Sequence, residues 1–171
     1  MGSVALNLSS YTKVGRYSAT ISCSAWDWPY PSDAGTHETG DDENGSSTTI
    51  SYSNTIWSWT FNDGGTASTK EPTHQFTGLT AGTKNTCRGT LSVKCTRTVT
   101  TKTWKTTTIK VPDGKDENGN TIYKDEKKKT TTTTGPTSTS YSLGSASDSI
   151  AVYTKPAEFS WGSGVATDKT I

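Results

Sequence analysis

Few residues in this chain have the types and spacing that chemistry needs. Asp41, Asp42 and Glu43 put three carboxylates in a row, the raw material of general acid–base work. They stand in a Gly-rich polar stretch with no apolar neighbours to move their pKa values apart. His37 and His74 have no nucleophile at a recognised spacing, and the chain contains no Gly-x-Ser-x-Gly or phosphate-binding loop. Cys23, Cys87 and Cys95 are odd in number and include no Cys-x-x-Cys, so they form no zinc pattern with the two histidines. They read as buried free thiols, with a Cys23–Cys87 or Cys23–Cys95 bridge between sheets as the alternative. The expectation is a protein with no catalytic residues, no metal and no cofactor.

Asp-Glu-Asn-Gly occurs twice, at 42–45 and 116–119. In a calcium-binding helix–loop–helix, side-chain ligands fill positions one, three and five before the glycine. Here the first position would be Gly40 or Gly114, which has no side chain to offer. Both copies therefore read as hairpin tips.

Binding chemistry has more footing. If the odd positions of 17–25 face a core, Trp26, Trp28 and Tyr30 project to the other side, where an aromatic strip can stack on sugar rings or anchor a protein interface. A bulge near Pro29 would instead turn Trp26 inward, so core and contact readings both stand. Lys127, Lys128 and Lys129 make a basic ribbon, but only Trp104 and Tyr123 are available there for base stacking, and acids lie close by. Nucleic acid is not an expected partner.

The elements that must position these residues follow from composition. Of 171 residues, 35 are Thr and 22 are Ser, and only 29% are hydrophobic. Thr is β-branched and suits a pleated, half-exposed surface, which excludes a helical bundle and an α/β fold. Six Trp, seven Tyr and three Phe still supply a thin core. No run approaches the length of a membrane-spanning helix, so no membrane is expected. Residues 1–8 carry no charged segment followed by an apolar stretch, so a chain with this start is expected to fold in a cytoplasm. Charge is segregated: residues 1–83 hold three Lys/Arg against eight Asp/Glu, and residues 84–129 hold twelve against five. Such asymmetry can steer self-association, or merely mark solvated faces.

Alternation marks the strands. Val4, Leu6 and Leu8 share a face, as do Tyr17, Ala19, Ile21, Cys23 and Ala25. Trp57, Trp59 and Phe61 alternate up to the Asn62–Gly65 turn. Cys87, Gly89, Leu91, Val93 and Cys95 form the longest core-like side, and Ile150, Val152 and Thr154 form a last short strand. Residues 27–48 read as a surface loop or a loose hairpin tipped at Asn44-Gly45. Residues 96–134 read as a two-stranded Thr/Lys-rich hairpin arm with no core face, or as a disordered linker. Trp104, Ile109, Val111, Ile122 and Tyr123 are the arm's candidate assembly contacts, because an isolated ribbon needs a neighbour to lie on.

Two stretches carry family resemblances. Trp57-Ser58-Trp59-Thr60-Phe61-Asn62-Asp63-Gly64, with Pro72–Phe76 and Leu91-Ser92-Val93, resembles the polycystic-kidney-disease (PKD) type of immunoglobulin-like domain, although Cys87 stands where that family has an aromatic residue. Gly78–Thr83 and Ser149–Pro156 resemble the corner and the exit strand of fibronectin type III domains, with Asn85 where their tyrosine would stand. Both imply an antiparallel, immunoglobulin-like two-sheet sandwich over 1–157, the arm protruding from it and 158–171 following as a linker or docking tail. Such domains serve as spacers, displays and adhesive modules.

The resulting expectation is a structural, non-enzymatic virion protein of a tailed bacteriophage, part of the capsid surface, tail or fibre. It would assemble with copies of itself or with other virion proteins. The alternative is a carbohydrate-binding or adhesive module of a bacterial surface protein, with a host-surface glycan as ligand.

Overall fold

The computed structural model describes residues 2–9 and 14–157; the segment 158–171, read above as a linker or docking tail, lies outside the described residues. Among the described residues there is no helix. Eight strands follow one another: β1 (Ser3–Leu8), β2 (Ala19–Trp26), β3 (Gly35–Gly40), β4 (Asn44–Phe61), β5 (Thr66–Ala67), β6 (Thr73–Phe76), β7 (Lys84–Lys115) and β8 (Thr121–Tyr153). They form two antiparallel sheets. One has the order β1-β2-β6; the other has the order β3-β4-β7-β8, with β5 pairing on β4.

The chain divides into two compact units. The first comprises the described residues of 2–29, 56–94 and 142–157, the second residues 30–55 and 95–141. β4, β7 and β8 each contribute residues to both.

The first unit holds the apolar core. Alternation in β2 buries Ala19, Ile21, Cys23 and Ala25, while Thr20, Ser22 and Ser24 stay half-exposed. Pairing of Leu6 with Cys23 on one side and of Ile21 with His74 on the other fixes the register. From the second sheet, Trp59, Phe61, Cys87, Leu91, Val93 and Val152 complete a single buried cluster. Gly89 lies under Phe61 and Trp59, where a Cβ would stand 3.1–3.2 Å from their rings. Each fully buried large side chain contributes roughly 1.5–3 kcal/mol, which is how so thin a core holds the unit. Tyr17, expected on the buried face of this strand, precedes β2 and is exposed.

Two polar brackets tie the edges of this unit. The Asp63 carboxylate accepts from the main-chain N–H groups of Gly65 (2.9 Å) and Thr77 (3.2 Å) and pairs with His74 Nε2 at 3.0 Å. The His74 ring stacks on Phe61, with centroids 4.0 Å apart. At the corner before β7, Asn85 Oδ1 accepts from Thr80 N–H, and Asn85 Nδ2 donates to the carbonyls of Thr80 and Thr83.

The second unit has a different character. Its only buried residues are Ile50 and Cys95. The stretch 27–48, read as a loop or loose hairpin, contains β3 and the start of β4 in six regular pairs from Gly35↔Ile50 to Gly40↔Gly45. Its turn falls at 41–43 rather than at Asn44-Gly45, closed by Asp41 N–H donating to Asn44 O. Cross-strand hydroxyl pairs, Thr36–Thr49 and Thr39–Ser46, replace apolar ones, which is why no alternation showed in the sequence. In the segment 96–134, β7 lies between β4 and β8 up to the level of Thr106, where Asn44 begins β4. All three cysteines are free and buried.

Candidate interaction surface

The three aromatics after β2 do not form one strip. Trp26 ends β2 and is 45% exposed. Trp28 packs against the core of the first unit, under Gly2, where a Cβ would stand 2.0 Å from its ring. Its indole Nε1 is buried and has no hydrogen-bond partner. Tyr30 belongs to the second unit and is 43% exposed.

Tyr30 is part of a cluster that sequence spacing did not reveal. Its ring stacks on Tyr52 (centroids 5.8 Å, planes 21° apart), and Tyr141 meets Tyr52 edge-on at 5.5 Å. The Tyr52 hydroxyl donates to Asp33 Oδ1 at 2.6 Å and accepts from Arg97 Nε at 3.2 Å. An Arg97–Asp33 contact of 3.6 Å closes the triangle. The Tyr52 hydroxyl holds the Asp33 carboxyl below its ordinary value; partial burial opposes this, and Arg97 adds to it. Burial, then the Asp33 carboxylate, pushes the Tyr52 hydroxyl up. Rings in offset and edge-on contact, fixed by a charge-assisted hydrogen-bond network, make a preorganised aromatic platform. The four residues that complete it, Asp33 before β3, Tyr52 in β4, Arg97 in β7 and Tyr141 in β8, are far apart in the chain, and only Tyr30 stood out by local composition.

Trp104 is half-buried within the second unit. Its Nε1 donates to the Asp41 carbonyl at 2.7 Å, and Lys129 Nζ stands 5.5 Å from the ring centroid. Gly45 lies on the ring, where a Cβ would come within 2.7 Å. Thr106 N–H donates to Asn44 Oδ1, and Lys127 pairs with Glu43. Thr103, Trp104, Lys105, Thr107, Thr130 and Thr132 line an open groove of about 420 Å³. Of the other candidate contacts, Ile109, Ile122 and Tyr123 are exposed, and Val111 is half-buried.

The remaining chemistry-bearing residues have structural work. Asp41 Oδ1 accepts from the N–H groups of Glu43 and Asn44, and Asp116 Oδ1 accepts from those of Asn118 and Asn120. An Asp caps its own turn at each Asp-Glu-Asn-Gly copy. Among the described residues, no group of three His, Cys, Asp or Glu is placed to hold a metal ion, and no helix is long and apolar enough to cross a membrane.

Comparison with protein-family models, with curated proteins and with solved structures finds no match to this chain.

Proposed function

We propose that this is a non-enzymatic structural protein that assembles with copies of itself through the second unit, as a virion component of a tailed bacteriophage. One observation carries the assembly reading. Every residue from 121 to 141 is exposed, along a strand at the edge of its sheet, in a unit that buries only Ile50 and Cys95. A long open edge and two wet faces are what a neighbouring subunit covers. The virion setting rests on the immunoglobulin-like reading of the first unit. Two antiparallel sheets sharing one core support that reading, as does a corner bracketed by Asn85 in the place of the family's tyrosine.

Light scattering on the full chain and on a chain lacking 100–132 tests assembly. The full chain is expected at a multiple of the monomer mass, and the deletion at the monomer mass. A monomeric full chain overturns the proposal.

The Tyr30–Tyr52–Tyr141 platform favours a second reading, a glycan-binding module of a bacterial surface protein. It predicts retention on a glycan array that Tyr30→Ala and Tyr141→Ala abolish while the fold persists. Failure of the intact chain to bind any glycan sinks it.

A further inference from the structure

We propose that copies join edge to edge, with β3 of one copy adding as an antiparallel strand to β8 of the next along Thr130–Thr134. This rests on the assembly reading and specifies its contact.

Strand direction permits it. β3, β4, β7 and β8 are four successive antiparallel strands, so the two edges, β3 and β8, run in opposite directions. Two copies in the same orientation, side by side, therefore present antiparallel edges to each other, and the sheet continues without a break in its pattern.

The levels agree. Gly40 pairs with Gly45, and Trp104 rests on Gly45 and on the Asp41 carbonyl. On the other side of β7, the Thr103 and Thr107 hydroxyls reach the carbonyls of Thr132 and Lys128. Gly135 lies against Val99 and Thr100. Across the sheet, then, β3 stands level with residues 130–135 of β8. β3 is six residues long and wholly exposed.

The composition of the edge leaves that window open and guards its ends. Lysines and proline are the usual deterrents to strand addition. Lys127, Lys128 and Lys129 stand on one side of the Thr run and Pro136, which has no N–H, on the other. Between them are five exposed threonines with no charge.

Charge selects the partner. Residues 33–43 hold five carboxylates and no Lys or Arg, and residues 124–129 hold four lysines against Asp125 and Glu126, with three of the lysines consecutive at 127–129. The Asp41–Glu43 turn is level with Lys127–Lys129, the level at which Glu43 and Lys127 already pair within the chain. Among the described residues Glu38, Asp42 and Lys128 make no ion pair, so an acidic edge meets a basic one between copies. The contact is heterologous, so it builds a ring or an open row rather than a closed dimer.

The test combines sedimentation with zero-length carboxyl–amine cross-linking of mixed light- and heavy-isotope protein. The intact chain is expected to assemble, with inter-copy cross-links from the acidic turn at Asp42 to Lys128. Thr131→Glu/Thr133→Glu, both on a fully exposed edge, should weaken assembly by about tenfold or more by setting carboxylates against Glu38. Adding Glu38→Lys should restore it. Assembly that proceeds unchanged in the double variant, or inter-copy cross-links running only from β8 to β8, overturns this contact and leaves the assembly reading standing. A chain that is monomeric at every concentration overturns both. The cross-links are read on the unaltered protein, so the test holds even if a variant misfolds.

Discussion

The indole N–H of Trp104 donates to the main-chain carbonyl of Asp41, 63 residues earlier in the chain, at 2.7 Å. One bond thus clamps the turn between β3 and β4 onto the middle of β7. It also sets the level of β3 within the sheet, and therefore the level at which an acidic edge faces a basic one. Trp104→Phe keeps most of the ring and loses the bond, and should cost about 1 kcal/mol of local stability. Gly45→Ala places a methyl 2.5 Å from the Thr39 carbonyl and 2.7 Å from the ring and should free the turn more severely. Amide exchange at Glu43 and Asn44 reports both. Unchanged protection in both variants would show that the clamp does not hold the turn.

Acid sensitivity should centre on Asp63. Burial pushes its carboxyl up, but the N–H groups of Gly65 and Thr77 and the His74 ring outweigh that and hold it below its ordinary 3.8. The unfolded chain therefore binds the proton more readily than the folded one. The stability this gives is present above about pH 4 and is lost as pH falls below that, towards the folded value. Asp63→Asn should cost about 1–3 kcal/mol at neutral pH and flatten the acid limb of the stability curve. Urea unfolding at a series of pH values checks both, and an acid limb unchanged in the variant would place the sensitivity elsewhere.

The thiols should be inert in the folded protein. Burial pushes Cys23 up to about 11, and burial with the Asp63 charge does the same for Cys87. Alkylation near pH 8 should be slow for all three cysteines and become fast only in denaturant. Mass spectrometry without reductant should find three free thiols. Rapid labelling of Cys23 or Cys87 under native conditions would contradict the packing of β2 against β7.

Removing the Tyr52 hydroxyl should uncouple the aromatic platform from its charges. Tyr52→Phe keeps the stacking on Tyr30 but leaves Asp33 and Arg97 with only their 3.6 Å contact. The Asp33 carboxyl should then titrate closer to its ordinary value, as its first cause of lowering is gone. Carboxyl chemical shifts followed through an acid titration read this directly. If self-assembly also fell in this variant, the platform and the Thr edge would not be separate surfaces.

The first unit was legible because one side of each of its strands is buried. Ala19, Ile21, Cys23 and Ala25, or Cys87, Leu91 and Val93, could alternate only with polar partners. The second unit was not legible for the same reason in reverse. Thr36, Thr49, Thr103 and Thr132 stand on a sheet wet on both faces, so no period of two separates inside from outside, and 27–48 reads equally as a loop or a loose hairpin. Glycine held a usable signal at Gly45, which reads as a turn residue but is small because the Thr39 carbonyl and the Trp104 ring leave no room for a Cβ. Nothing local joined Asp33, Tyr52, Arg97 and Tyr141. Their meeting depends on long strands from distant parts of the chain lying side by side.

The most direct measurement is backbone amide exchange of Thr130–Thr134 in the unaltered chain, compared between dilute and concentrated solution. Every second amide of this run faces away from β7; the account predicts that these outward amides exchange freely when dilute and become protected on concentration, together with the amides of Gly35–Gly40 that face away from β4. Free exchange at every concentration, or protection that leaves β3 untouched, would contradict it.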